Sequence, residues 1–121
     1  MHPQPQSDLK VKRLKGKTTI DFLFKKGSVF QSKNLLLRLS IDSDSSEMCV
    51  GVSVSKRNFN RAVDRNRVKR QLRTVLKQHE NEFRYGGKYM LLYTGKKLPQ
   101  TDALSQETLQ LLKKISASFD F

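Results

Sequence analysis

The stretch from Asn34 to Ser55 constrains the fold most, because its apolar residues recur at every second position on both sides of a polar turn. It reads NLLLRLSI, then DSDSSE, then MCVGVSVS. Side chains alternate across a strand, so Leu35, Leu37, Leu39 and Ile41 share one face, with Leu36, Arg38 and Ser40 on the other. The second run puts Met48, Val50, Val52 and Val54 inward and Cys49, Gly51, Ser53 and Ser55 on the opposite face. That opposite face has almost no bulk. It predicts either a closely packed helix or a shallow floor for a ligand.

Helical periods flank this pair. In TTIDFLFKKG, Thr18 and Asp21 read as a capping box, Ile20, Leu23 and Phe24 share a face, and Lys25, Lys26 and Gly27 suit a C-terminus. Beyond the strands, Asn60 reads as the cap of a helix whose apolar stripe is Val68, Leu72, Val75, Leu76 and His79, with Phe83 extending it. YGGKYMLLYTG gives turn, strand and turn. A last amphipathic helix, around 104–118, buries Leu104, Thr108, Leu111, Leu112 and Ile115.

The order is helix, two or three strands, helix, strand, helix. This predicts an α+β sandwich with a small mixed sheet of about four strands and about three helices. A chain of 121 residues suits one domain, here 16–121, after a disordered basic and polar, Pro-containing tail at 1–15.

Charge narrows the function. The chain carries 24 Lys and Arg against 11 acids, a net +13, which points to a polyanionic partner. More than half of that excess lies in SKRNFNRAVDRNRVKRQLR, where eight basic residues from Lys56 to Arg73 meet one acid, Asp64. On a helical wheel Asn66, Arg67, Arg70, Arg73 and Lys77 spread over the face away from the apolar stripe, and Lys69 lies at its flank. Arg65 sits near the apolar border, and Arg61 starts the helix. Lys56 and Arg57 lie just before it, at the end of the small-residue strand. Guanidinium forks match phosphate oxygens, and few carboxylates stand at salt-bridge spacing, so the run suits an RNA backbone better than a solvated lattice of ion pairs.

Other classes fit less well. The single Cys49 excludes an intrachain disulfide and suits a reducing cytoplasm. MHPQPQSD has neither a basic n-region nor an apolar h-region, and no apolar run approaches the ~20 residues of a membrane span. The acids are scattered except for Asp42, Asp44 and Glu47, which read as a solvated turn. His2 lies in the tail and His79 on an apolar face. No phosphate loop, nucleophile elbow or metal motif is present, so the reading assigns no catalytic residue, metal or cofactor to the protein itself.

At Ala62-Val63-Asp64-Arg65-Asn66-Arg67-Val68-Lys69-Arg70, after a strand ending in Ser55-Lys56-Arg57, the sequence resembles the protein subunit of bacterial ribonuclease P. LKGKTTIDFLFKKG resembles that family's first helix, and the likeness covers about residues 13–116. The loop Asn58-Phe59-Asn60-Arg61 is about one residue longer than in many members. Ile20 stands at one of two cleft aromatic positions, Phe24 keeps the other, and Arg38 stands where a Tyr is frequent.

The resemblance implies a left-handed βαβ crossover around the Arg-Asn-Arg helix. It further implies that Lys56, Arg57, Arg61, Arg65, Asn66, Arg67, Lys69, Arg70 and Arg73 bind the RNA subunit. Leader-side candidates are Ile20, Phe24 and Arg38 by aligned position, with Ser53 and Ser55 from the strand alternation. The RNA subunit, with magnesium, would cut the 5′ leader from precursor tRNA. The protein would be inactive and monomeric by itself.

Overall fold

The computed structural model describes residues 10–14, 16–42, 47–83 and 86–119. Five strands and three helices follow one another as β1 (Lys10–Arg13), α1 (Lys17–Lys26), β2 (Ser28–Gln31), β3 (Leu35–Ile41), β4 (Glu47–Val54), α2 (Ala62–Gln78), β5 (Gly87–Tyr93) and α3 (Thr101–Phe119). A 3-10 turn at Glu80–Glu82 follows α2.

The sheet order is β1-β4-β5-β3-β2. β1 and β5 both run parallel to β4, whereas β3 is antiparallel to β5 and to β2. The expected α+β class is present, and β4, α2 and β5 form the βαβ unit. The sheet has five strands rather than about four. The strands not singled out in the sequence are β2, after Gly27, and β1, which falls inside the stretch read as a tail. Its register, Lys10 opposite Glu47 through Arg13 opposite Val50, is closed by the Leu14 N–H on the Val50 carbonyl. The ordered unit therefore starts before residue 16; residues 1–9 lie outside the described residues.

The two strand faces sort as their alternation predicts. Leu35, Leu37, Leu39, Met48, Val54, Tyr89, Leu91 and Tyr93 are buried beneath α2 and α3, with Val50 and Val52 partly buried beside them. α2 contributes Val68, Leu72, Val75 and Leu76, and α3 contributes Leu104, Leu111, Leu112 and Ile115. Thr108 joins them at little cost because its hydroxyl donates to the Leu104 carbonyl. Phe83 meets Tyr89 edge-on, with centroids 4.9 Å apart. His79 is half-buried and bonds Ser105 Oγ at 2.7 Å, a border role between α2 and α3.

α1 packs on the other face. Leu23 is fully buried against Leu14 and Met90, with Ile20, Cys49 and Leu92 around them. Gly51 on β4 leaves room for Leu14 and Met90 of this cluster. A Cβ on Gly51 would lie 3.2 Å from both Leu14 Cβ and Met90 Cε.

Two helix starts differ from the expected caps. α1 is entered from Gly16 at φ 94, a conformation glycine adopts without a Cβ clash, and Thr18 already lies in the helix. α2 is entered from Arg61 rather than Asn60, and no side chain caps it. The Arg65 guanidinium instead folds back onto the carbonyls before it, as described below. α3 starts at Thr101, three residues ahead of the expected start, where Gln71 Nε2 donates to Pro99 O and Thr101 Oγ1 and ties α3 to α2.

Candidate nucleic-acid interface

The exposed side of α2 carries the cations that the wheel places there. Asn66, Arg67, Arg70, Arg73 and Lys77 are exposed, and Lys69 is half-buried at the flank. Among the described residues the salt bridge found is Lys12–Glu47, at 2.7 Å, and none involves the arginines of α2. Uncompensated like charges on one helix repel each other, and a polyanion laid along them relieves that repulsion.

The loop ahead of α2 is firmly built. Phe59 is buried and packs on Tyr93, with centroids 6.1 Å apart. Asn58 Nδ2 donates to the carbonyls of Thr94 and Gly95 at 3.2 and 3.4 Å. Arg65 Nη1 donates to the carbonyls of Phe59 and Asn60 at 2.8 and 2.9 Å. The Arg57 N–H donates to Ser55 Oγ at 3.1 Å. Lys56, Arg57 and Arg61 are thus exposed on a segment held at both ends, next to the α2 face. Arg65 is half-buried and does structural work in this loop, which distinguishes it from Arg67, Arg70 and Arg73. The sequence reading missed Phe59 as an anchor; a large aromatic inside a polar, basic loop was its visible signal.

A second surface lies on the α1 side of the sheet. Gly16 begins α1 just past the β1–β4 pairing, and Gly27 ends it against the Leu39 carbonyl. The helix therefore lies over Met90 and Arg38, in the row Gly51–Met90–Arg38 set by the register of β4, β5 and β3, while Leu14 covers Gly51. The next row, Ser53–Leu92–Leu36, is half-buried beside the helix. It forms a shallow floor, and Leu36 and Leu92 belong to it although the sequence reading singled out neither.

Phe24 is 43% exposed at the edge of this floor and so does not serve the core. The Arg38 guanidinium lies over its ring, 4.7 Å from the centroid, and Nη1 donates to the Phe24 carbonyl at 3.2 Å. Ile20 is different: half-buried, it packs on Leu14, Leu23 and Met90 and belongs with the smaller core. Ser55 is exposed and occupied by the Arg57 N–H, and Ser53 stays on the floor. Of the five leader-side candidates, Phe24, Arg38 and Ser53 share one surface.

The described residues bring no three His, Cys, Asp or Glu side chains together as a metal site. Part of the 42–47 turn lies outside the described residues. No step is assigned to a metal held by this chain. Among the described residues no helix is long and apolar enough to cross a membrane.

Known proteins resemble this chain in sequence or in architecture. The ribonuclease P protein component of Pseudanabaena sp. is 32% identical over 74 residues, spanning 61% of this chain and 64% of that protein. That of Mycoplasma mycoides subsp. mycoides is 37% identical over 76 residues, spanning 61% of this chain and 69% of that protein. The alignments thus leave about a third of each relative's length uncovered. The Staphylococcus aureus RNase P protein superposes with a TM-score of 0.75 at 22% identity, over 88% of this chain and 96% of that one. The Thermotoga maritima RNase P protein gives 0.74 at 18%, over 85% and 96%. At these identities the two structures speak for the fold. The family model described as Ribonuclease P matches residues 9–116, which takes in β1 and nearly all of α3, and the chain belongs to that family.

Proposed function

We propose that this chain is the protein subunit of the ribonuclease P ribonucleoprotein, which removes the 5′ leader from precursor tRNA in the cytoplasm. The RNA subunit, with its magnesium, performs the hydrolysis. The protein, a monomer by itself, neutralises phosphate repulsion between the two RNAs and holds the leader. The observation that carries this reading is the row Arg67, Arg70 and Arg73, exposed and free of carboxylate partners among the described residues, beside the anchored Lys56–Arg57 loop. Arg61, Asn66 and Lys69 extend the same contact, and Arg65 supports it by fixing the loop.

The leader lies on the floor Ser53–Leu92–Leu36, with the Phe24 ring and the Arg38 guanidinium along its border. An exposed ring offers a stacking surface to any base, about 1–3 kcal/mol for each base stacked.

Reconstitution tests the reading. The purified chain is mixed with a transcribed ribonuclease P RNA and precursor tRNA at low magnesium, and release of the 5′ leader is followed. Leader release should require both protein and RNA. Cleavage by the nucleic-acid-free protein, or no stimulation of the RNA by it, would refute the proposal.

A further inference from the structure

A cavity of about 650 Å³ opens where β1 stops pairing with β4. This volume falls within the ~300–1,000 Å³ typical of small-molecule sites. β1 pairs as far as Val50, and the Leu14 N–H takes the Val50 carbonyl. Residues two apart on a strand point their peptide groups the same way. The N–H and C=O of Val52 therefore face the edge that β1 has left, and no described strand pairs with them there.

The floor is aliphatic: Met48, Val50 and Val52 of β4 with Leu76 of α2, and Met90 and Ile20 around the strand edge. The rim is cationic. Lys69, Arg73 and Lys77 come from α2, and Lys12 and Arg13 from β1. Glu80 is the one carboxylate among the lining residues. Lys12 is neutralised by Glu47, whose bond also holds the ammonium pKa above its usual value. Four cations remain for a ligand.

We propose that this cavity receives one unpaired nucleotide of the RNA subunit. The base rests on the aliphatic floor, its polar edge meets the Val52 peptide groups, and the flanking phosphates lie on Arg13, Lys69, Arg73 and Lys77. The inference rests on the assignment of α2 to the RNA subunit, because three of the four cations are on that helix. Nucleotides match both halves of the site: a flat body that stacks on apolar side chains, an edge with donors and acceptors, and anionic groups on either side. An extended peptide added as a strand fits less well, since β4 offers only Val52 and Val54 beyond Val50 on that edge.

The test uses the full chain with labelled methyl groups, titrated with a short single-stranded RNA and with an abasic strand of equal length. Both should shift Arg and Lys signals. Only the base-bearing strand should shift the methyls of Met48, Val50 and Val52, and it should do so saturably. Methyl shifts that are the same for both strands, or absent, overturn the proposal. So does an acidic extended peptide that perturbs the Val52 amide where RNA does not.

A second measurement compares Val52→Phe, which fills the cavity, with Arg67→Ala for affinity to the RNA subunit. Val52→Phe should weaken binding about tenfold, the scale of one buried base. If Arg67→Ala weakens binding and a folded Val52→Phe does not, the cavity assignment falls and the α2 assignment stands. If neither weakens it, both fall. Should Val52→Phe fail to unfold cooperatively, the titration of the unaltered chain decides.

Discussion

The guanidinium of Arg38 covers the Phe24 ring at 4.7 Å and bonds the Phe24 carbonyl, so a β3 side chain holds the end of α1 and one face of its exposed aromatic ring. Arg38 Nε is buried and has no partner among the described residues. The pair borders the proposed leader floor without closing it. Phe24→Ala is expected to lower the preference of the reconstituted enzyme for precursor over mature tRNA about tenfold or more, from the loss of one stacked base. Competition binding with the two tRNAs measures it, and an unchanged preference removes Phe24 from the leader site.

Arg67 and Arg65 are two residues apart but should fail differently. Arg67→Ala should leave the thermal midpoint unchanged and reduce the slope of log affinity for the RNA subunit against log salt by about 0.7–0.9, one phosphate contact. Arg65→Ala deletes two bonds to the carbonyls of Phe59 and Asn60 and should cost about 1–3 kcal/mol of folding stability. Denaturant titration with salt-dependent binding separates the two. Equal stability of both variants would refute the structural role of Arg65.

Glu107 of α3 fastens the turn between β2 and β3. Its carboxylate accepts from Ser32 Oγ, from the Asn34 N–H at 2.7 Å and from Asn34 Nδ2 at 3.2 Å. Glu107→Ala leaves three donors without this acceptor and is expected to destabilise the fold by about 2–3 kcal/mol, with the salt dependence of RNA binding unaffected. Denaturant unfolding checks the first part, and filter binding the second.

Burial pushes the Tyr89 phenol well above its ordinary 10.0, so the folded state keeps a proton that the unfolded chain releases. Its contribution to stability is complete below pH 10 and declines as pH rises beyond it. The expected slope is about 1.4 kcal/mol per pH unit for one such group. Tyr89→Phe should flatten alkaline denaturation above pH 10 relative to the unaltered chain. Parallel curves would show that this phenol does not contribute.

Much of this molecule was legible in one dimension. Alternation on 35–41 and 48–54 assigned both sheet faces, because a half-buried strand must repeat its apolar residues every second position. The 3.6-residue stripe of α2 separated core from cation face for the same reason. The sequence by itself also determined where charge accumulates.

What tertiary structure decided are the features made by residues far apart in the chain. β1 is a strand because β4 offers an edge to it; four mostly basic residues have no such preference in isolation. Arg65, at the apolar border of the wheel, turned to the loop, where its guanidinium bonds the Phe59 and Asn60 carbonyls. Phe24 and Ile20, equivalent on a wheel, parted because Leu14 and Met90 enclose one and Arg38 props the other outward. Periodicity reports which side of an element is buried; which distant group covers it depends on how the layers meet in space.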